Sequence, residues 1–186
     1  RALDLKKNLE HKEQLCQKTE ALDQEKNVVH AFKTLQKYHA RWREIGPVPR
    51  ENRDEIWERF KNATSVINKK HQEYHSKLKE SLFENLEKKK LLCEKVESIS
   101  ARTYDSHRAW SEKTKEILAI QKEWKTIGYA PKKDNNAIYA RFREACDAFF
   151  GNKARYYAAA FEEQKENLKL KTEITEKAEE LSGSQD

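Results

Sequence analysis

The sequence predicts an all-α protein, and three observations lead to that fold class. Glycine and proline number only 4 and 3 among 186 residues, about 4% where globular proteins average roughly 12%, so turn-rich β folds are disfavoured. Apolar residues recur every three or four positions, the spacing of a single buried stripe along a helix. Four Trp, seven Tyr and seven Phe argue against a disordered chain, and no apolar run approaches the ~20 residues of a membrane span.

Five apolar stripes predict five helices, in chain order at residues 5–22, 28–45, 56–99, 110–127 and 138–181. No glycine or proline lies between Arg50 and Thr103, so the third stripe predicts one unbroken helix of ~48 residues and ~72 Å. Gly151 interrupts the fifth stripe, but the apolar spacing continues beyond it. Charged residues, 38% of the chain, alternate in sign as they do on the solvated faces of helices.

Glycine and proline mark the ends of two helices. Gly46 and Gly128 each follow an isoleucine at the end of a stripe, where a glycine in the left-handed conformation would end a helix at little steric cost. Pro47, Pro49 and Pro131 then prevent the helix from resuming at once. The side chains expected to cap the helices that follow are Asn52 and Asp134 after the prolines, Asp23 before the second helix, and Ser100, Thr103 or Asp105 before the fourth.

The chain contains an internal duplication at an offset of 82 residues. Eight identities relate the two copies: Trp42/Trp124, Ile45/Ile127, Gly46/Gly128, Pro49/Pro131, Ile56/Ile138, Arg59/Arg141, Phe60/Phe142 and Ala63/Ala145. A second motif, Asn-Leu followed by an aliphatic residue seven positions after the Asn, begins at Asn8, Asn85 and Asn167. The pattern predicts a helical repeat at residues 1–78, a second at residues 79–160, and the first helix of a truncated third repeat at residues 161–186.

Short links between the stripes make neighbouring helices antiparallel, and an amphipathic helix is stable only where its apolar face is covered. We therefore expect elongated tandem three-helix bundles in a spectrin-like arrangement, with each long helix shared between two repeats. The last stripe, at residues 162–181, lacks helices to cover it. It either extends into solvent or pairs with another molecule, for which an antiparallel dimer is one arrangement.

The residues around the two glycines resemble a known family. Residues 42–49 (WREIGPVP) with 56–60 (IWERF), and residues 124–131 (WKTIGYAP) with 138–142 (IYARF), are similar to the bacterial domain-of-unknown-function family 349. The second copy departs from the first where Tyr129 and Ala130 replace Pro47 and Val48. The resemblance implies a helical, tandemly repeated, cytoplasmic bacterial protein, and it implies no particular activity.

The cysteine content and the first residues bear on the compartment. Cys16, Cys93 and Cys146 lie far apart and form no Cys-x-x-Cys pair, which favours a reducing cytoplasm and a packing role. Residues 1–22 are charged throughout and have no apolar core of a secretion signal. Because the chain begins at Arg1 and contains no methionine, we expect it to be a segment of a longer protein.

Motifs for catalysis and for metals are weak. His71 and His75 lie four residues apart on one helix face, as in zinc sites, but no third ligand follows at a suitable spacing. The four glycines are isolated, so a phosphate-binding loop cannot form. We expect no catalytic residue, no metal and no cofactor, and the protein is not expected to be an enzyme.

Positive charge collects at the duplicated segments. Residues 36–73 carry a net charge of +3 and residues 120–155 of +4, within a total of +6. The basic side chains concerned are Arg43, Arg50, Arg53, Arg59, Lys125, Lys132, Lys133 and Arg141. Such a distribution suits nucleic-acid or ribosome binding, which is the alternative function.

The function that the pattern favours is a non-enzymatic scaffold or spacer that mediates macromolecular interactions in the cytoplasm, with an unidentified protein partner and no membrane contact. The conserved pattern of the two copies predicts a structural elbow between helices. We expect it to be held by Trp42, Ile45, Phe60, Trp124, Ile127 and Phe142, and its angle to be set by Gly46, Pro49, Gly128 and Pro131.

Overall fold

The structure, a computed structural model, describes residues 1–183 as a succession of helices with no strand among them. The five α-helices are α1 (Ala2–Ala21), α2 (Val28–Glu44), α3 (Arg53–Ser100), α4 (His107–Thr126) and α5 (Lys132–Gly183), and short 3-10 helices occupy Leu22–Gln24 and Arg50–Asn52. The predicted all-α fold is confirmed. The prediction of an unbroken third helix is also confirmed, because α3 is 48 residues long.

The chain divides into two compact units, unit 1 at Arg1–Ser81 and unit 2 at Leu82–Asp186. The division falls inside α3. Unit 1 contains α1, α2 and the first part of α3, and the described part of unit 2 contains the remainder of α3 with α4 and α5.

The core of unit 1 is built from one apolar stripe of each helix. One buried cluster combines residues of α1, of the loop after α2 and of α3: Leu15, Cys16, Ile45, Val48, Ile56 and Phe60. A second cluster joins Ala31 and Leu35 of α2 to Ile67 of α3. Three helices thus cover one another's apolar faces, as burial of an amphipathic stripe requires.

The core of unit 2 repeats this arrangement. Leu86, Leu92, Cys93 and Val96 come from α3, Trp110 and Ile117 from α4, and Ile138, Phe142, Ala145, Cys146 and Phe149 from α5. Tyr104 fixes the loop before α4, because its hydroxyl donates to the carbonyl of Ile99 at 2.8 Å and its own carbonyl accepts from the indole of Trp110 at 2.9 Å.

Helix caps differ from the predicted ones. Asn27, not Asp23, caps α2, and its side chain accepts from the amide of His30 at 3.1 Å. The reason is that Leu22–Gln24 forms a 3-10 turn, which postpones the start of α2. Asp23 instead pairs with Lys70 of α3.

The fourth helix is capped by Ser106, whose hydroxyl accepts from the amide of Ala109 at 3.1 Å. The three predicted candidates, Ser100, Thr103 and Asp105, are therefore wrong. Asp134 does not cap α5 either, because α5 begins at Lys132 and the amide of Asp134 already donates to the carbonyl of Pro131 at 2.8 Å. Asn52 ends the 3-10 turn directly before α3.

The predicted left-handed conformation of Gly46 and Gly128 is wrong, since no glycine among residues 1–183 has a positive φ. Helix α2 ends because Ile45 turns to an extended conformation, with φ −72° and ψ 131°, and Ile127 ends α4 in the same way, with φ −83° and ψ 131°. The reason for glycine at these positions lies in a contact described below.

The C-terminal part of α5 has no helix packed on it in the described chain. Every residue from 161 to 183 is exposed, including Phe161, Leu168 and Ile174. Of the helices within residues 1–183, each is too polar or too short to cross a lipid bilayer.

Candidate functional site

Each unit contains one elbow, by which we mean the link between its second and third helices together with the helix ends that it joins. The elbow of unit 1 is residues 42–60, and that of unit 2 is residues 124–142. In unit 1 the first helix is α1, and in unit 2 it is the part of α3 from residue 82 onward. In both units the first helix holds the elbow through the same set of contacts.

An asparagine of the first helix binds the loop of the elbow. The side-chain amide of Asn8 donates to the carbonyl of Pro47 at 2.7 Å, and that of Asn85 donates to the carbonyl of Tyr129 at 2.9 Å. A Cβ atom added at Gly46 would lie 2.8 Å from the amide nitrogen of Asn8, and one at Gly128 would lie 2.9 Å from that of Asn85. Glycine is therefore required for close approach of the asparagine, not for its backbone freedom.

A tryptophan and a phenylalanine stack inside each elbow. Trp42 lies parallel to Phe60, with ring centroids 4.2 Å apart, and Trp124 lies parallel to Phe142 at 4.0 Å. Both phenylalanines are buried, whereas both tryptophans are half-buried. Such pairs contribute about 0.5–1.5 kcal/mol beyond the burial of their area.

A lysine of the first helix lies over the ring of each tryptophan. The ammonium of Lys12 lies 4.5 Å from the ring centroid of Trp42, and that of Lys89 lies 5.1 Å from that of Trp124, within the range of a cation–π interaction. Lys89 is only 7% exposed. Burial lowers the pKa of Lys12 and of Lys89, because it removes water from the charged form.

An ion pair joins the first and third helices. Arg59 binds both carboxylate oxygens of Glu20, with Nε at 2.7 Å and the terminal nitrogen at 3.1 Å. Arg141 binds one oxygen of Glu97, at 3.0 and 2.6 Å. The hydrogen bond from Arg59 lowers the pKa of Glu20, and the same pair raises the pKa of Arg59.

A buried cysteine completes the set. The thiol of Cys16 faces the carbonyl of Ile56 at 3.8 Å, and that of Cys93 faces the carbonyl of Ile138 at the same distance. Both side chains are 0% exposed. Burial raises the pKa of each thiol to about 11, so both stay protonated and unreactive near neutral pH.

The predicted elbow residues occupy these contacts to different degrees. Ile45 is buried in the core of unit 1, and Ile127 is half-buried beside the core of unit 2. The carbonyl of Pro49 accepts from the amide of Asn52 at the end of the 3-10 turn, and that of Pro131 accepts from the amides of Asp134 and Asn135 in the first turn of α5. Sequence reasoning missed the first-helix partners, which are Asn8, Lys12, Glu20 and their counterparts Asn85, Lys89 and Glu97. The recurrence of the Asn-Leu motif at an offset of 77 was the signal for them.

The outer surface of the elbows carries aromatic side chains in contact with solvent. Trp57 and Tyr139, which share a repeat position, are 47% and 53% exposed, and Tyr129 is 78% exposed. In unit 2, an open groove of about 430 Å³ is lined by residues that include Lys125, Tyr129 and Tyr139. We call the residues Arg43, Arg50 and Trp57 of unit 1, and Lys125, Tyr129, Lys132 and Tyr139 of unit 2, the elbow surface.

The eight basic residues that the sequence suggested fall into two groups. Arg59 and Arg141 form the ion pairs just described. The other six are exposed and take part in none of the ion pairs formed within residues 1–183: Arg43, Arg50, Arg53, Lys125, Lys132 and Lys133. Arg43 and Lys125 share one repeat position, and Arg50 and Lys132 share another.

The histidine pair lies away from the elbows. The Nε2 atoms of His71 and His75 are 3.0 Å apart, and the ring of His71 stacks on Phe32 at 3.7 Å. Within residues 1–183, no group of three or more His, Cys, Asp or Glu side chains is placed to hold a metal ion.

Fold and repeated contacts together define a tandem array of three-helix units. A family model described as Domain of Unknown Function (DUF349) matches residues 1–51, 55–133 and 137–186. The chain therefore belongs to the DUF349 family. Searches of curated proteins and of solved structures found no match.

Proposed function

We propose that the protein is a non-enzymatic helical-repeat scaffold that brings macromolecules together in the bacterial cytoplasm through its elbow surface. The observation that carries the proposal is the contrast between the two sides of each elbow. The inner side is held by the same contacts in both units, while the outer side keeps Trp57 and Tyr139 half exposed at one repeat position. Exposed aromatic side chains beside cations are typical of protein interfaces.

Groups with shifted pKa values support a binding role over a catalytic one. Catalytic groups are tuned by burial within a cleft that substrate can reach. Here burial in the core raises the pKa of Cys16 and of Cys93, and the hydrogen bond from Arg59 lowers the pKa of Glu20. Each of these groups serves the packing of one helix on another.

The thiols also support the proposed compartment. Cys16, Cys93 and Cys146 are buried and unpaired. A reducing environment suits free thiols in helix cores. The bacterial source rests on the resemblance of the two elbow motifs to the family.

Variants of the elbow surface test the proposal. The chain would be used to capture proteins from a bacterial extract after nuclease treatment, beside a Trp57→Ser/Tyr139→Ser variant. A Tyr74→Ser/Phe83→Ser variant is the matched control, because these aromatic residues are 42% and 52% exposed but lie outside the elbows. We expect a defined set of proteins to be lost from the elbow variant only. Equal capture by wild type and elbow variant would contradict the proposal.

Nucleic-acid or ribosome binding is the second candidate, and the six exposed basic residues without ion pairs favour it. Neutralising phosphates would make the affinity fall linearly with the logarithm of salt concentration. We expect charge reversal of Arg50, Arg53, Lys132 and Lys133 to abolish binding of RNA or DNA if this function is correct. Absence of binding to RNA, DNA and ribosomes at low salt would remove it.

A further inference from the structure

The C-terminal part of α5 repeats the contact residues of a first helix for a third time. At an offset of 82 from unit 2, Asn85, Lys89 and Glu97 correspond to Asn167, Lys171 and Glu179. The apolar positions Leu86, Leu92 and Val96 correspond to Leu168, Ile174 and Ala178, and Cys93 corresponds to Thr175. All three polar residues that hold an elbow are therefore present in the correct register.

These positions are exposed in α5, in contrast to their counterparts. Leu168 and Ile174 are both 66% exposed, whereas Leu86 and Leu92 are 5% and 3% exposed. Within residues 1–183, the side chains of Asn167, Lys171 and Glu179 form no hydrogen bond and no ion pair. The face has the composition of an interface, and Leu168 and Ile174 on it are covered by no other helix of residues 1–183.

Charge favours one kind of partner. Residues 156–186 contain four Lys and eight Asp or Glu, so a second copy of the same helix would bring like charges together. The elbow segments are basic, with net charges of +3 at residues 36–73 and +4 at residues 120–155. A basic elbow complements the acidic helix, and opposite charges steer association.

We propose that residues 162–181 bind the second and third helices of a further repeat of this family, that is, a helix pair with the Trp-x-x-Ile-Gly-x-x-Pro loop and the Ile-x-x-Arg-Phe segment. The side-chain amide of Asn167 donates to the carbonyl of the residue after the loop glycine, as those of Asn8 and Asn85 do. Lys171 covers the tryptophan, and Glu179 accepts from the arginine. Thr175 replaces the cysteine, and its hydroxyl donates to the carbonyl of Lys171 in the preceding turn of α5 at 2.9 Å.

The elbows of a second copy of this chain are less suitable occupants. Each elbow of the chain is already held by its own first helix through Asn8 or Asn85 and through Glu20 or Glu97. Binding in trans would require those contacts to open first. A free elbow helix pair has no such requirement.

An extended chain provides the test. Ser182 corresponds to Ser100, the last residue of α3, so a second copy of residues 101–160 placed directly after Ser182 would continue the repeat in register. Amide hydrogen exchange would be followed by mass spectrometry at residues 165–181 in the full extended chain and in the original chain. We expect exchange there to slow by roughly 100-fold or more, because an exposed helix becomes a packed one.

Single substitutions in the extended chain make the test specific. Asn167→Ala and Glu179→Gln should each restore part of the fast exchange. Glu173→Gln is the matched control, because Glu173 corresponds to Leu91, which is 57% exposed, and it should have no effect. Equal exchange in the two chains, or equal effects of Glu173→Gln and Glu179→Gln, would overturn the proposal.

Sedimentation and hydrogen exchange of the original chain at several protein concentrations test whether a second copy binds residues 162–181 instead. We expect the amides of residues 165–181 to exchange rapidly at every protein concentration. Protection that grows with concentration, together with a dimer that Leu168→Asp dissolves, would identify a second copy as the occupant and overturn the proposal.

Discussion

The contact between Gly46 and Asn8 can be tested by a double-mutant cycle. The three heavy atoms nearest to a Cβ at position 46 all belong to the side chain of Asn8, with the amide nitrogen at 2.8 Å. The φ of Gly46 is not positive, so alanine is allowed by the backbone. In the folded state, the Gly46→Ala variant should therefore act by displacing the amide of Asn8 from the carbonyl of Pro47.

The magnitude follows from two opposing effects. Loss of a hydrogen bond at 2.7 Å costs about 0.5–1.5 kcal/mol. Alanine in place of glycine restricts the unfolded chain and contributes about 0.4–1 kcal/mol of stability. In the wild type, Gly46→Ala should thus lie between a gain of about 0.5 kcal/mol and a loss of about 1 kcal/mol. In an Asn8→Ala background it should stabilise by about 0.4–1 kcal/mol, which gives a coupling of about 0.5–1.5 kcal/mol.

Hydrogen exchange of peptides from α2 and the first part of α3 would report the free energy of opening of unit 1 for all four members of the cycle. Gly151→Ala, followed on peptides of α5, is the control, since a Cβ at that position has no heavy atom within 4 Å. It should act the same with and without Asn8. The reasoning is refuted if Gly46→Ala has the same effect in both backgrounds.

Three further predictions concern other elbow contacts. Trp42→Ala should destabilise unit 1 by about 2–4 kcal/mol in urea unfolding, somewhat below the cost for a fully buried Trp. Trp57→Ala should cost less than about 1 kcal/mol, because Trp57 is 47% exposed. Equal losses of stability in the two variants would contradict the stacked geometry. Burial raises the pKa of Cys16 and of Cys93 from 9.0 to about 11, so the thiols of the unfolded chain lose their protons at lower pH than those of the folded chain. The free energy of unfolding should therefore fall between pH 9 and 11 by about 2–3 kcal/mol per thiol. A Cys16→Ala/Cys93→Ala variant should lose that pH dependence in alkaline unfolding curves, and an unchanged dependence would show that other groups cause it. The pKa of Glu20 is lowered by its arginine partner. The stabilisation by the pair is therefore present above the pKa of about 4.3 in the unfolded chain, and it is lost as the pH falls through the pKa in the folded chain. Glu20→Gln should remove that acid dependence at a cost below about 1 kcal/mol, because the pair is part exposed and screened; a larger loss in urea unfolding at neutral pH would mean that the pair is not screened.

The helices and their repeats could be predicted because the signals for them are local. The absence of glycine and proline between Arg50 and Thr103 is enough to predict α3, and the spacing of Trp42, Ile45 and Gly46 is enough to find the second copy. Both depend on neighbours within a few turns of the same helix. The family resemblance rests on the same short segments.

The contacts between the first helix and the elbow could not be predicted, because they join residues about 30 to 45 positions apart. Gly46 reads as a helix end by itself, and only the position of Asn8 on another helix shows why a side chain is excluded there. The prediction that Asp23 caps α2 was wrong for a related reason. Asp23 is a good cap by type, but its carboxylate is engaged by Lys70 of α3 while the 3-10 turn carries the chain on to Asn27.

The same distinction applies to the basic residues. Composition alone treats Arg59 and Arg43 alike, but Arg59 is held by Glu20 and Arg43 points to no carboxylate within ion-pair distance among residues 1–183. Only the tertiary structure separates the cations that stabilise a unit from those that form no ion pair within residues 1–183.

Site-specific photo-crosslinking from the elbow surface tests the scaffold function most directly. A benzophenone amino acid would be placed at Trp57 or at Tyr139 in living cells, with Phe83 as the control position of similar exposure. The proposed function predicts protein adducts from both elbow positions and none from position 83. Adducts that form equally from position 83, or elbow adducts that consist only of nucleic acid, would contradict it.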